Sequence, residues 1–146
     1  MHDTLRKAKE RLTDGAFTCV ILDGDREYTS RERGVKPLVS LIQSEESYKG
    51  AYAADKTVGA GAAHLYVIIG VRALYANVIS ESALAVLKSA GIDTFFGECV
   101  PYIINRRRDG ICPIENAVKG AENSADAYHL ILAALERLRE SITDKS

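Results

Sequence analysis

The chain has 146 residues, enough for one domain with a real core and too few for two comfortable ones. Its residues are 47% hydrophobic and 27% charged, with a formal net charge of −1, which removes the electrostatic case for nucleic acid or an acidic lipid surface. Residues 1–14 are charged throughout and unlike a signal peptide, no apolar run reaches the ~18 residues of a membrane span, and three cysteines without CxxC spacing suit reduced thiols; a cytoplasmic protein is expected.

Residues 3–14 predict an amphipathic helix with Leu5, Ala8 and Leu12 on one face and Gly15 as its stop. Residues 16–22 are an apolar strand, and Asp23-Gly24 signals a hairpin into a second strand over 26–29. Gly34 and Pro37 announce the next helix, with Leu38, Leu41 and Ile42 facing inward. Residues 45–53 read as a loop.

Residues 54–70, A-D-K-T-V-G-A-G-A-A-H-L-Y-V-I-I-G, are the most informative stretch. They predict a helix starting at Asp55, whose carboxylate would cap the first turn, with Lys56 beside it. Gly59 and Gly61 cost such a helix about 1 kcal/mol each against alanine, so close approach of a backbone or ligand should offset them. The segment reads as the wall of a site. It is not a phosphate loop, because G-A-G-A-A-H lacks the required Gly-Lys-Ser/Thr ending and no strand is expected directly before it.

A strand over 73–78, a helix capped by Ser80 and closed by Gly91, and a strand over 92–96 form a parallel crossover unit. A short strand over 102–105, the basic loop 106–110 and a short helix from Pro113 to about Gly120 follow. The last helix, 125–142, places Ala127, Leu130, Ile131, Ala134, Leu135 and Leu138 at helical spacing, with Asn123 as its cap. The sum is one layered α/β domain over residues 1–146.

The runs D-G-D-R-E-Y-T-S-R-E-R-G-V-K-P-L, A-D-K-T-V-G, V-I-S-E-S-A-L-A-V-L, V-P-Y-I-I-N-R and C-P-I-E-N-A-V resemble a bacterial domain-of-unknown-function family, number 1893, whose fold is similar to cytidine deaminases. The resemblance spans nearly the whole chain. It implies a three-layer α-β-α sandwich, cytidine-deaminase-like, with a mixed sheet that begins in an antiparallel hairpin. It transfers no established activity. Many members look more like G-K-A-A-A after the first glycine, where this chain has Ala60.

Zinc deamination needs His or Cys ligands at two helix starts and a nearby Glu. The implied topology puts those starts at Asp55-Lys56 and at residues 78–82, which hold neither residue type. No H-x-E or P-C-x-x-C occurs, so neither a catalytic zinc nor any other cofactor is expected.

Two chemistries remain. In the first, a nucleotide-like or phosphorylated small molecule binds through Asp55, Lys56, Gly59, Ser80, Glu81 and Arg33, together with the segment from Cys112 to Glu115. In that reading, Arg31, Arg33 and Lys36 gather charge before the helix that opens at Pro37. In the second, a metal-independent enzyme uses Cys112 at a helix start as nucleophile, Lys56 to stabilise charge, and Glu115 or Asp55 to move protons. Each group also has a plain structural reading: Asp55 and Ser80 as helix caps, Glu115 as the partner in a capping box, Arg33 and Lys56 as solvated charges. A third reading is a homo-oligomeric interaction module with no ligand.

Overall fold

The structure, a computed structural model, describes residues 1–104 and 110–144. In chain order the elements are α1 (Asp3–Asp14), β1 (Cys19–Asp23), β2 (Arg26–Ser30), α2 (Lys36–Gln43), β3 (Tyr52–Val58), α3 (Ala60–Ile69), β4 (Ala73–Ser80), α4 (Glu81–Ser89), β5 (Asp93–Val100), α5 (Pro113–Ala117) and α6 (Ser124–Asp144). The strands form one sheet in the order β2-β1-β3-β4-β5. The β1 strand runs antiparallel to both β2 and β3, whereas β3, β4 and β5 are parallel. The class is α/β with a mixed sheet that opens in a hairpin.

The sheet separates two apolar layers. On one face α1 buries Leu5, Ala8 and Leu12 against Val20, Ala54 and Tyr75. On the other, Ile21, Ala53 and Leu74 meet Leu38 and Leu41 of α2, Leu65 and Tyr66 of α3, and Leu87 of α4. The α6 helix then packs on α3, burying Ala127, Ile131 and Ala134. Leu138, at the same helical spacing, stays 40% exposed.

The hairpin turns through Gly24 at φ +61°, pairing Asp23 with Arg26. Its first strand begins at Cys19 rather than at residue 16, since Ala16 adopts φ +53°, a left-handed conformation that no strand contains. Ser80 caps α4 as expected, its hydroxyl accepting from the Ala83 N–H at 3.2 Å. Asn123 likewise accepts from the Asp126 N–H at 2.8 Å at the start of α6. In place of a short strand over 102–105, Ile104 makes a single antiparallel bridge to Ile111. Most of the basic loop 106–110 and Asn105 lie outside the described residues.

The largest correction concerns residues 45–58. The expected loop ends early, and the expected helix start is strand: β3 runs from Tyr52 through Asp55 and Lys56 to Val58, pairing Asp55 with Cys19 and with Ala76. Asp55 therefore caps nothing. Tyr52, Thr57 and Val58 favour strand, and the run sits between two strands that complete its hydrogen bonds. A strand does directly precede the glycine-alanine helix.

Candidate functional site

The carboxyl ends of β3 and β4 lie side by side, and each passes straight into a helix. Gly59 precedes α3 without any side chain to cap it. The missing acceptor comes from far along the chain. Glu115 of α5 is only 4% exposed, and its Oε2 accepts from the Ala60 N–H at 2.9 Å. Its Oε1 accepts from the Ser82 hydroxyl at 3.3 Å, and Ser82 lies 3.3 Å from the Ser80 hydroxyl that caps α4. One buried carboxylate thus links two helix N-termini, where the helix dipoles favour negative charge.

The two glycines of this segment make that arrangement fit. A Cβ at Gly59 would overlap Glu115 Oε2, and one at Gly61 would come within 2.5 Å of Ile114 Cγ2. Neither position has a positive φ, so steric room and not backbone freedom selects glycine here. The close approach expected from the sequence is that of α5.

Beside the carboxylate lies a cavity of about 760 Å³ between α3, α4, α5 and the turn into α6. Ala60, Ser82 and Glu115 are among its lining residues, and Val67, Val86, Ile111 and Val118 add apolar ones. His64 and Tyr102 add polar groups. The His64 ring shares a hydrogen bond of 3.0 Å with Ser124, and partial burial lowers its pKa, which keeps the ring neutral near pH 7. Lys119 is exposed and is the one Lys or Arg among the described lining residues.

Of the residues singled out from sequence, Gly59, Ser80 and Glu115 meet at this place. Lys56 is exposed on β3, Glu81 is exposed at the first position of α4, and Arg33 is exposed in the loop before α2; none of them lines the cavity. Cys112 is half-buried and packs against the core, its N–H donating to the Ile103 carbonyl at 2.9 Å. Among the described residues no hydrogen bond joins its thiol to a base, and no group of three His, Cys, Asp or Glu side chains is arranged to hold a metal ion. His64, Val67 and Tyr102 were not singled out as site residues. Ala60, His64 and Val67 do recur at i, i+4 and i+7, a helical face that the sequence already contains.

Asp55 belongs to a second cluster, between the sheet and α3. Tyr66 donates its hydroxyl to Asp55 Oδ2 at 2.6 Å and lies 3.2 Å from Cys19 Sγ, while the Thr57 N–H donates to Asp55 Oδ1 at 3.1 Å. Burial raises the Asp55 pKa from 3.8 to about 6, against the lowering effect of the Tyr66 hydrogen bond. Burial, together with the Asp55 charge, also pushes the Cys19 thiol and Tyr66 phenol upward. Asp55 and Lys56 are therefore not a ligand-facing pair: one is sealed in the core and the other is in solvent.

Fold and site together define a mixed-sheet α/β protein with a glutamate-walled cavity at the carboxyl ends of its parallel strands. The chain belongs to the family of domain of unknown function DUF1893, which matches residues 7–135. It is similar to the crystal structure of a DUF1893 family protein from Thermotoga maritima, at 24% identity and TM-score 0.83, over 91% of this chain and 90% of that one. No curated protein matches it. Among the described residues no helix is long and apolar enough to cross a membrane.

Proposed function

We propose that this protein binds a small molecule in the cavity walled by Glu115, Ser82 and Ala60. The observation that supports this reading most is the pairing of a buried carboxylate with an open cavity of about 760 Å³, within the usual size range of ligand sites. The fold reads as cytidine-deaminase-like, and the two helix starts that would hold zinc ligands in a deaminase are here Gly59–Ala60 and Ser80–Ser82. Glu115 stands between them. The apolar walls suit a flat ring such as a nucleobase. A phosphate at the α3 N-terminus is disfavoured, because Glu115 already takes the Ala60 N–H and would repel a second anion.

The test is a thermal-shift screen against nucleosides, nucleotides, sugar phosphates and small amines, repeated on Ala85→Trp. Ala85 is exposed on the cavity side of α4, so the indole fills the cavity without entering the core. A ligand at a hundred times its Kd adds about 2.7 kcal/mol to the native state. The expected result is stabilisation by one chemical class, lost in Ala85→Trp. A flat screen, or a hit that Ala85→Trp leaves intact, removes the reading.

A further inference from the structure

The chemistry of the ligand's inner end follows from how Glu115 is satisfied, given the binding reading above. A carboxylate offers about four acceptor sites. Among the described residues, Glu115 uses two of them, one on each oxygen, for the Ala60 N–H and the Ser82 hydroxyl. No ion pair reaches it among those residues. An unpaired buried carboxylate is costly, and a single backbone N–H with one long hydroxyl contact meets only part of that cost. Ala60 and Ser82, the two donors to its oxygens, line the cavity along with it, so the carboxylate is at the cavity wall.

Each oxygen thus keeps one acceptor site unused among the described residues, on a side chain that lines the cavity. Two parallel N–H groups on one planar cation match that pair, in the fork geometry by which carboxylates bind guanidinium groups. Glu115 already occupies the positive helix ends, and among the described lining residues no cation faces it: His64 is neutral near pH 7, and Lys119 is exposed. Val67, Val86, Ile111 and Val118 would cover an apolar body behind the cationic end.

We infer that the cavity takes a small organic cation of the amidinium or guanidinium kind on an apolar body, with Glu115 as its counter-charge. Ser82 and Ala60 hold the carboxylate in place, and the apolar walls set the shape that fits behind it.

The experiment compares benzamidine with benzoate, which share a shape and differ in charge, by following backbone amide signals of the full chain. Benzamidine is expected to shift the Ala60 and Ala83 signals saturably, and benzoate to bind about tenfold more weakly or worse. Glu115→Gln, checked for an intact spectrum, is expected to weaken benzamidine by about tenfold and erase the preference. If benzoate moves the same signals at equal or lower concentration, the cation inference is overturned while the cavity reading stands. If neither probe moves them, the inference is also overturned, and the ligand screen with Ala85→Trp then decides the broader reading alone. Should Glu115→Gln fail to fold, the ratio of the two probes on the native chain is decisive by itself.

Discussion

Gly59 and Glu115 are 56 positions apart in sequence, yet the glutamate carboxylate occupies the space that a side chain at position 59 would need. The two residues are one device: the glycine leaves the α3 N-terminus bare, and the glutamate caps it from α5.

Gly59→Ala is expected to lower stability by about 2 to 4 kcal/mol, combining overpacking with loss of a charge-assisted hydrogen bond. Glu115→Ala removes the cap and is expected to lower it by about 2 kcal/mol. The double variant should cost clearly less than the sum, because the new Cβ then fills space the carboxylate has left. Urea denaturation of the four proteins measures this coupling, expected at 1 kcal/mol or more. Simple additivity would mean that the two residues do not share this space.

This coupling also explains which parts of the molecule were legible in the sequence. Helices α1 and α6 declare themselves because their apolar spacing and caps are local, as do Ser80 at the start of α4 and the Asp23-Gly24 turn. Asp55 misled because an aspartate before a glycine-alanine helix is what a local cap looks like. Its carboxylate instead accepts from Tyr66, on the helix that packs over the strand. Gly59 was correctly suspected of permitting close approach, but the partner that approaches is remote: the local capping-box rule singles out Glu115 without pairing it with Gly59. The cavity was hidden for the same reason, since its walls come from four helices and two loops.

The three cysteines give a second check on burial. Cys99 is exposed on β5, Cys112 is half-buried, and Cys19 is sealed beneath Tyr66 with its thiol pKa raised by burial and by Asp55. A thiol-disulfide reagent at neutral pH should label Cys99 fast and Cys19 only on unfolding. Mass spectrometry of peptides over time reads this order directly. Early labelling of Cys19 would place it outside the core.

Cys112 packs against the core and makes no cap hydrogen bond, while the cavity is lined by other residues. Cys112→Ser is therefore expected to leave benzamidine binding within about twofold of the parent, at a stability cost of about 1 kcal/mol. A loss of binding with stability intact would restore Cys112 to the site.

Asp55 predicts the pH dependence of stability. Its folded-state pKa of about 6 lies above the ordinary 3.8, because burial disfavours the charged form. The folded chain then holds this proton more tightly than the unfolded chain. The stability Asp55 contributes is fully present below pH 3.8 and is lost as the pH rises through 6. The span corresponds to about 3 kcal/mol at most. Tyr66 and Cys19, which face it, are pushed upward and stay protonated throughout this window. In Asp55→Asn the amide imitates the neutral acid: its oxygen can still accept from the Thr57 N–H, and its NH₂ can donate to the Tyr66 oxygen. The variant should therefore match the parent near pH 4 and exceed it above pH 6, by up to about 3 kcal/mol. Because both proteins carry His64, whose own titration has the opposite sign, the difference between their denaturation curves isolates Asp55. A difference that stays constant from pH 4 to pH 8 would show that the carboxyl at position 55 does not carry the raised pKa that its burial imposes.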